Sequence, residues 1–412
     1  CQQRPAAVLD LVPASSGSCP AMRNVNLDHG AVVPPGGVCA YSAATGAPIA
    51  NTLNRSSWAR FGAALPLPRE QLPAFPVSLG LDPDQIAALP TCEQAIFLAW
   101  PIWADGHWGH FLIEEVALLW LVLGPQRLVD VSTLILPGYA RSRVSSLCDL
   151  LERDCVLRFT DELTDPLLVK RLWSPVPSMF EGGPVDPSHF QHVLAVLQAL
   201  DPTLLPPDHP AWLDASCPSR VYLSRSALPA TSRRVEAELE LEQLLEQDGW
   251  HVIHPQALSL PQQIRYLINA QEIAGTLGSA FHTLMVLGAC TDSGPSKRVT
   301  ILSSPALRCL EPTFRAQFHA QHIPVRFVDC MHPCPGEAAA AQNPWDCHYR
   351  FSRDLRQIAE VIASTTPAPS PPLRAPGDRL RMPVGLIPRS SDSPQALQLM
   401  NANRAYLLFD GG

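Results

Sequence analysis

The sequence has no uninterrupted apolar run of the roughly 18 to 20 residues that a membrane helix needs. Its longest run, residues 116–123, is about half that length and predicts a buried helix instead. Charged residues make up only 17% of the chain, and the formal net charge of −8 lacks the basic excess that is typical of nucleic-acid-binding scaffolds. We therefore expect no membrane-spanning segment and no nucleic-acid partner.

Three catalytic signatures are also missing from the chain. It contains no Walker loop, no full dinucleotide fingerprint and no Gly-x-Ser-x-Gly nucleophile elbow. These absences argue against a P-loop nucleotide hydrolase and against a serine hydrolase of the α/β type.

The 12 cysteines are scattered rather than densely paired, which is unlike a small disulfide scaffold. We expect a cytosolic enzyme whose thiols are mostly reduced. Cys330, His332, Cys334, Cys347 and His348 have a spacing that permits zinc, but their irregular spacing favours thiols or a local disulfide. Because the chain begins at Cys1 without Met, we expect it to be processed or truncated.

Proline is about twice as common as usual, with 43 residues. Residues 1–93 predict an irregular N-terminal segment that packs on the first domain. Alternating apolar strands and helical segments then predict two α/β domains with mostly parallel sheets, at 94–205 and 219–364. The Pro-rich stretch 201–218 is the candidate linker, and a Pro-rich tail follows at 365–412.

The same patterns locate individual elements. In the first domain they predict strands at 95–100, 132–136, 155–159 and 167–172, and helices at 107–123, 141–151 and 186–200. In the second domain they predict strands at 221–224, 250–254, 272–275, 298–302 and 325–328, and helices at 233–247, 259–269, 280–287 and 352–363.

The first candidate site lies at the start of helix 107–123. His107, His110 and Glu114 fall on one face of it, Glu115 follows, and the rest of the helix is almost wholly apolar. Glu, Asp or His can take a proton from an acceptor hydroxyl, so Glu114, Glu115 and His110 are candidate catalytic residues. The competing interpretation is that the carboxylates merely favour the helix N-terminus and the histidines bind nearby carbonyls.

The second candidate site begins where a strand ends in Ser224-Arg225, and Arg233, Arg234 and Glu238 follow. A guanidinium at that edge can bind phosphate oxygens through two parallel hydrogen bonds. For Arg233 and Arg234 taken singly, pairing with glutamates on a solvated helix face is the favoured alternative.

The third candidate site is a turn after another strand, Gly275-Thr-Leu-Gly278-Ser279, with His282 close behind it. Small residues there let an anion approach the backbone amides at a helix start. Alone, His282 would more often be a buried structural histidine.

Taken in this order, the blocks resemble glycosyltransferase family 61. His110-Phe-Leu-Ile-Glu114 is similar to the family's His-Phe step into an acidic residue and a Leu-rich helix, with Glu where Asp is more usual. Ser224-Arg225 and Arg233-Arg234-Val-Glu-Ala237-Glu238 match two further family blocks, although Ala237 stands where Asn is usual. Leu277 replaces a family His, while Gly278, Ser279 and His282 resemble some bacterial members.

The resemblance implies two Rossmann-like domains facing across a cleft, which is the GT-B type, and an inverting, metal-independent transfer. It implies no cofactor, a nucleotide-sugar donor that is UDP-linked or a relative, and a glycan, glycolipid or polysaccharide acceptor. Arg225, Arg233, Arg234, Glu238, Gly278, Ser279 and His282 would bind the donor. The chain contains no Asp-x-Asp metal motif beside an apolar strand, since Asp82-Pro-Asp84 lies in a Pro-rich segment.

By the same resemblance we expect a bacterial, cytoplasmic role in polysaccharide or glycolipid assembly, with peripheral association at the inner membrane. Two alternatives stay open. The changes at Ala237 and Leu277 are compatible with a catalytically inactive nucleotide-sugar-binding or scaffold protein. An unrelated α/β enzyme for another phosphorylated ligand is the third interpretation.

Overall fold

The structure is a computed structural model that describes residues 25–49, 52, 79–101, 108–124, 127–128, 130–144, 147–152, 155–179, 185–206, 209–229, 232–289, 297–336 and 347–364. These residues divide into two compact units. The first takes its described residues from 25–101 and 117–178, and the second from 108–116 and 179–364. The domain limits given above from composition stay predictions.

The first unit is built on a mixed sheet in the order β2-β1-β6-β3-β4-β5. Strands β6, β3, β4 and β5 run parallel, and β1 is antiparallel to both of its neighbours. The parallel part follows the doubly wound order 3-2-1-4. Its strands are β1 Val25–Val33, β2 Tyr41–Ser42, β3 Thr91–Phe97, β4 Thr133–Leu136, β5 Val156–Phe159 and β6 Leu167–Pro175.

The described helices of the first unit are short apart from one. They are Pro83–Ala87, Gly138–Ala140, Arg141–Val144, Cys148–Leu151, Thr160–Glu162 and the apolar helix Val116–Leu123. The sequence predicted one helix over 141–151, and the structure has helices at both ends of this range, Arg141–Val144 and Cys148–Leu151, while residues 145–146 lie outside the described residues. The nine-residue strand β1 was not predicted, since the composition of residues 1–93 had indicated irregular structure.

The second unit contains a fully parallel sheet in the order β12-β11-β10-β7-β9. In chain order this is 5-4-3-1-2, a doubly wound arrangement whose order reverses between β7 and β10. The predicted α/β class with parallel, Rossmann-like sheets is therefore compatible with both units. The strands are β7 Arg220–Leu223, β9 His251–Ile253, β10 Glu272–Thr276, β11 Arg298–Ser303 and β12 Val325–Asp329.

A small second sheet in the same unit joins β8 Val235–Glu236, β13 Met331–Pro333 and β14 Tyr349–Phe351. The prediction of one helix over 233–247 was therefore wrong at its start. Val235 pairs with Tyr349 as a strand residue, Ala237 has a left-handed φ of 62°, and the helix begins only at Glu238.

The remaining described elements of the second unit are mostly helices. They are Trp108–His110, Phe111–Glu115, Ser188–Leu200, Pro210–Trp212, Glu238–Gln247, Pro255–Ala257, Leu260–Asn269, Ser279–Ala289, Pro305–Leu310, Glu311–Ala320 and Leu355–Ala363. Ser279–Ala289 is a 3₁₀ helix. None of the described helices is long and apolar enough to cross a membrane.

Candidate functional site

The candidate site lies at the carboxyl ends of β7 and β10 in the second unit. Ser224 and Arg225 directly follow β7, while Leu277 and Gly278 follow β10. The strand order reverses between these two strands, and doubly wound sheets bind ligands beyond the carboxyl ends of strands at such a switch point. The topology thus brings together two motifs that are about 50 residues apart in the chain.

Arg225 is held in a fixed position at this switch point. Its Nε and Nη2 donate to the backbone carbonyl of Arg233 at 3.4 and 3.1 Å. Its Nη1 lies so close to Gly278 that any Cβ at that position would overlap it. Burial lowers the pKa of Arg225, and the neighbouring Glu238 carboxylate opposes that shift. The guanidinium still carries its charge at neutral pH, because arginine does not deprotonate in proteins.

Glu238 lies beneath the two strand ends rather than in solvent. Only 1% of it is exposed, and its Oε1 accepts hydrogen bonds from Tyr222 Oη at 3.1 Å and Thr276 Oγ1 at 3.2 Å. Burial raises the pKa of Glu238 to about 7, while the backbone amide and charge of Arg225 act in the opposite direction. This carboxyl group therefore bonds to both strands that carry the site, to β7 through Tyr222 and to β10 through Thr276, and it lies next to Arg225.

Arg233 and Arg234 take different positions in the loop that precedes β8. The Arg233 guanidinium donates to the carbonyl of Leu277, so it lies at the same turn as Arg225. The Arg234 guanidinium donates instead to the carbonyl of Leu228, with Nε at 2.9 Å. The structure thus brings Arg225 and Arg233 to the Gly-Ser turn (residues 275–279), whereas Arg234 fastens the loop.

The polar helix (residues 108–115) supplies the carboxylates. It starts as an α-helix and continues at Phe111–Glu115 as a π-helix, in which the amide of Val116 donates to the carbonyl of Phe111. Single π turns inside α-helices occur frequently at functional sites. His110 Nδ1 lies 3.1 Å from Glu114 Oε2, and Glu114 and Glu115 are only 4% and 6% exposed.

The polar helix packs directly against the Gly-Ser turn. A Cβ on Gly109 would lie 2.8 Å from His282 Cδ2 and 3.2 Å from Ser279 Cβ, so only glycine permits this approach. Trp108 Nε1 donates to Thr283 Oγ1 at 2.7 Å and fastens the contact. Residues from all three predicted motifs therefore lie together within the second unit, from Arg233 to Glu114.

His282 is buried in this site and has well-defined neighbours. Its Nδ1 lies 2.8 Å from Oε1 of Gln317, and its ring stacks on Phe314 with centroids 4.3 Å apart and planes 12° apart. Burial is the main cause that lowers the pKa of His282 to about 4, and the charge of His110 adds to it. At neutral pH the ring is therefore uncharged.

Some residues of this site carried no signal in the sequence. His189 Nε2 lies 3.0 Å from the carbonyl of Leu112, inside the π turn, and burial lowers the pKa of His189 to about 3. Gln317 and Phe314 come from a helix that the sequence patterns did not predict. All three lie in apolar surroundings far along the chain from the motifs, and only the folded structure reveals their contacts.

Two sets of candidate residues fall outside this description. His107, from the first candidate site, lies outside the described residues. Cys330, Cys334 and Cys347 are buried near β13 and β14. Among the residues that the structure describes, no group of three or more His, Cys, Asp or Glu side chains is arranged to hold a metal ion.

Comparison with known proteins gives one family. Residues 108–293 match the model of the family described as Glycosyltransferase 61. The matched segment includes the polar helix, Arg225, Arg233 and the Gly-Ser turn, and it ends before Phe314 and Gln317. No curated protein matches the chain.

Proposed function

We propose that this glycosyltransferase, whose residues 108–293 match the family 61 model, transfers a sugar with inversion from a nucleotide-sugar donor to a hydroxyl group of an acceptor. The observation that supports this proposal best is the convergence of Arg225 and Arg233 on the Gly-Ser turn, beside the His110–Glu114 pair. The two arginines and the turn are suited to binding a diphosphate, and the His110–Glu114 pair is suited to removing a proton from the acceptor hydroxyl.

The donor diphosphate would bind at the switch point. Arg225 and Arg233 supply positive charge there, and Gly278 and Ser279 let phosphate oxygens come close to the backbone. We propose that this charge, without a metal ion, stabilises the nucleoside diphosphate as it leaves. Glu238 would hold Arg225 in place, and Arg234 would act through the loop that carries Arg233.

The acceptor hydroxyl would be activated on the polar helix. Glu114, oriented by His110, takes the hydroxyl proton while the oxygen attacks the anomeric carbon and the bond from that carbon to the diphosphate oxygen breaks. A single displacement of this kind inverts the anomeric centre. Glu115 is the alternative base, because it is buried next to Glu114.

The wider setting in this proposal rests on the family resemblance. It comprises the GT-B arrangement of two Rossmann-like domains, a UDP-linked donor, and a glycan, glycolipid or polysaccharide acceptor. It also comprises a bacterial role in polysaccharide assembly, in the cytoplasm and peripheral to the inner membrane.

A panel of nucleotides tests the donor site. A ligand that binds only the folded state raises the melting temperature of the protein. The melting temperature is therefore measured with UDP, GDP, CMP and dTDP, with and without their sugars, in the presence and absence of EDTA. We expect an EDTA-insensitive rise with one nucleotide family, together with slow hydrolysis of its sugar conjugate. No rise with any nucleotide would contradict the proposal.

Two arginine variants sharpen the test. Arg225→Lys should weaken donor binding about 10- to 100-fold, because a charge-assisted hydrogen bond contributes about 1.5–3 kcal/mol. The control is Arg265→Ala, which removes a half-exposed arginine that pairs with Asp214 on the surface of the same unit. Donor binding without any hydrolysis or transfer would instead support the inactive nucleotide-sugar-binding protein.

A further inference from the structure

Gln317 lies outside the segment that matches the family, yet it makes the closest polar contact with the ring of His282. It belongs to helix Glu311–Ala320 and is fully buried. Its amide bridges two neighbouring residues of the 3₁₀ helix, since Nε2 donates to the carbonyl of Phe281 at 3.1 Å and Oε1 faces His282 Nδ1 at 2.8 Å.

The bridge determines which nitrogen of His282 carries the proton. The Phe281 carbonyl can only accept, so the NH₂ group of Gln317 must face it and the oxygen must face the imidazole. That oxygen also only accepts, so Nδ1 of His282 must be the donor. In a neutral ring the other nitrogen, Nε2, then carries a lone pair.

The ring orientation directs this lone pair toward the site. Phe314, three residues before Gln317, stacks on the ring and fixes its plane. The Cδ2–Nε2 edge faces Gly109, since a Cβ there would lie 2.8 Å from Cδ2 and 3.4 Å from Nε2. Among the described residues, the hydrogen bonds of His282 involve Nδ1 alone. Nε2 is thus left for a ligand beside the polar helix.

We propose that Gln317 is a positioning residue that holds His282 as the Nδ1–H tautomer, so that Nε2 accepts a hydrogen bond from a hydroxyl group of a bound sugar. This inference rests on the proposed transferase function. It narrows the donor contact expected for His282, because a lone pair repels phosphate oxygens and so favours a hydroxyl group over the diphosphate. Burial supports the neutral form, since it lowers the pKa of His282 to about 4.

The tautomer can be measured without any substrate. Long-range ¹H–¹⁵N spectra of protein labelled at histidine nitrogens distinguish the two neutral tautomers, and a His282→Gln variant assigns the signal. We expect wild-type His282 to be neutral at pH 7 with the proton on Nδ1. A proton on Nε2, or a charged ring, would overturn the assignment.

Variants on the same helix test the role of Gln317. Gln317→Leu should lose the single tautomer and lower turnover about tenfold, the effect of one lost hydrogen bond, with affinity for UDP unchanged. The control is Gln321→Leu, which should leave the spectrum and turnover unchanged. Among the described residues, the side chain of Gln321 hydrogen-bonds only to the backbone carbonyl of Gln317 and not to its amide.

The two proposals fail in different ways. A Gln317→Leu variant that loses UDP affinity while keeping its turnover would overturn the hydroxyl-binding role. If wild-type protein neither binds nor hydrolyses any nucleotide sugar, the transferase site is wrong and the hydroxyl role fails with it. The spectrum of the wild-type protein still tests the tautomer assignment in that case, because it requires no substrate. Should Gln317→Leu not fold, the wild-type spectrum decides the assignment.

Discussion

The guanidinium of Arg225 occupies the space that a side chain at position 278 would need. Gly278 is therefore a glycine because of its neighbour, and the contact joins the ends of β7 and β10. The arginine cannot easily move away, because Nε and Nη2 are bonded to the carbonyl of Arg233. This packing places a fixed positive charge at the switch point of the sheet.

Gly278→Ala should displace Arg225 and weaken binding of the nucleotide. We expect a loss of affinity of about 10- to 100-fold, which corresponds to about 1.5–3 kcal/mol for one charge-assisted hydrogen bond. Isothermal titration with UDP measures the effect. Gly336→Ala is the control, because a Cβ there meets no neighbour and only its positive φ is strained. The control variant should be less stable but should bind UDP as tightly as the wild-type protein. Equal affinity for UDP in the two variants would contradict the prediction.

Glu114→Gln should remove the proposed base while preserving the shape of the polar helix. Loss of a general base reduces turnover by about 10²- to 10⁴-fold. We expect that loss in kcat with little change in KM for the donor. Glu115→Gln is the matched comparison, because it makes the same change at the neighbouring buried carboxylate. We expect the smaller loss there, since His110 lies 3.1 Å from Glu114 and orients that carboxylate. A larger loss in the Glu115 variant would reverse the two roles.

Glu238 should make the protein less stable as pH rises. The pKa of Glu238 in the folded state is about 7, above its ordinary value of 4.5, so between these two pH values the folded state holds a proton that the unfolded state has released. Stability is therefore highest below pH 4.5 for this group and falls as pH rises toward 7. At about 1.4 kcal/mol per pKa unit, the loss is on the order of 3 kcal/mol.

Urea unfolding of Glu238→Gln between pH 4.5 and 8 measures this contribution. Gln retains an oxygen that accepts from Tyr222 and Thr276 but cannot ionise. The variant should be more stable than wild type above pH 7, and the difference should vanish at low pH. Glu236→Gln, at an exposed neighbouring carboxylate, controls for the loss of a negative charge. The prediction would be contradicted if the wild-type protein became more stable relative to Glu238→Gln as pH rises.

Ala237→Asn should stabilise the fold. Ala237 has a φ of 62°, and a left-handed conformation costs an L-residue with a Cβ roughly 1–2 kcal/mol. Asn tolerates this conformation better, so we expect the free energy of unfolding to rise by about 0.5–1 kcal/mol. Chemical unfolding measures the change. Ala363→Gly, at the end of a right-handed helix, is the opposite case and should destabilise by up to about 1 kcal/mol.

The sequence was informative where burial alone determines structure. The strands of the parallel sheet in the second unit are short apolar runs, and all five, β7, β9, β10, β11 and β12, end within one residue of the predicted positions. Because a parallel sheet gathers the carboxyl ends of its strands at one edge, the motifs after β7 and β10 could be expected to lie close together. The structure brings Arg225 and Gly278 into direct contact.

What the sequence missed depends on contacts between distant segments. Strands β8 and β14 are two and three residues long, too short for a periodic pattern, and they exist because Val235 pairs with Tyr349. The expected helical pairing of Arg233 with glutamates failed for the same reason, since the chain is extended there. The bond between His282 and Gln317 spans 35 residues, and no local pattern marks it.

The helix that follows the π turn is apolar on every side, and residues 116–121 are each at most 2% exposed. Such a helix has no side that must face the core, so its rotation about its own axis is of little consequence for burial. One inserted residue turns all later side chains by about 100°, which would bury polar groups in an ordinary amphipathic helix. Here an insertion or deletion at Phe111–Glu115 would rotate the helix, but each position that faces the core would still hold an apolar side chain. An insertion or deletion there can therefore redirect the carboxylates without burying a polar side chain in this helix.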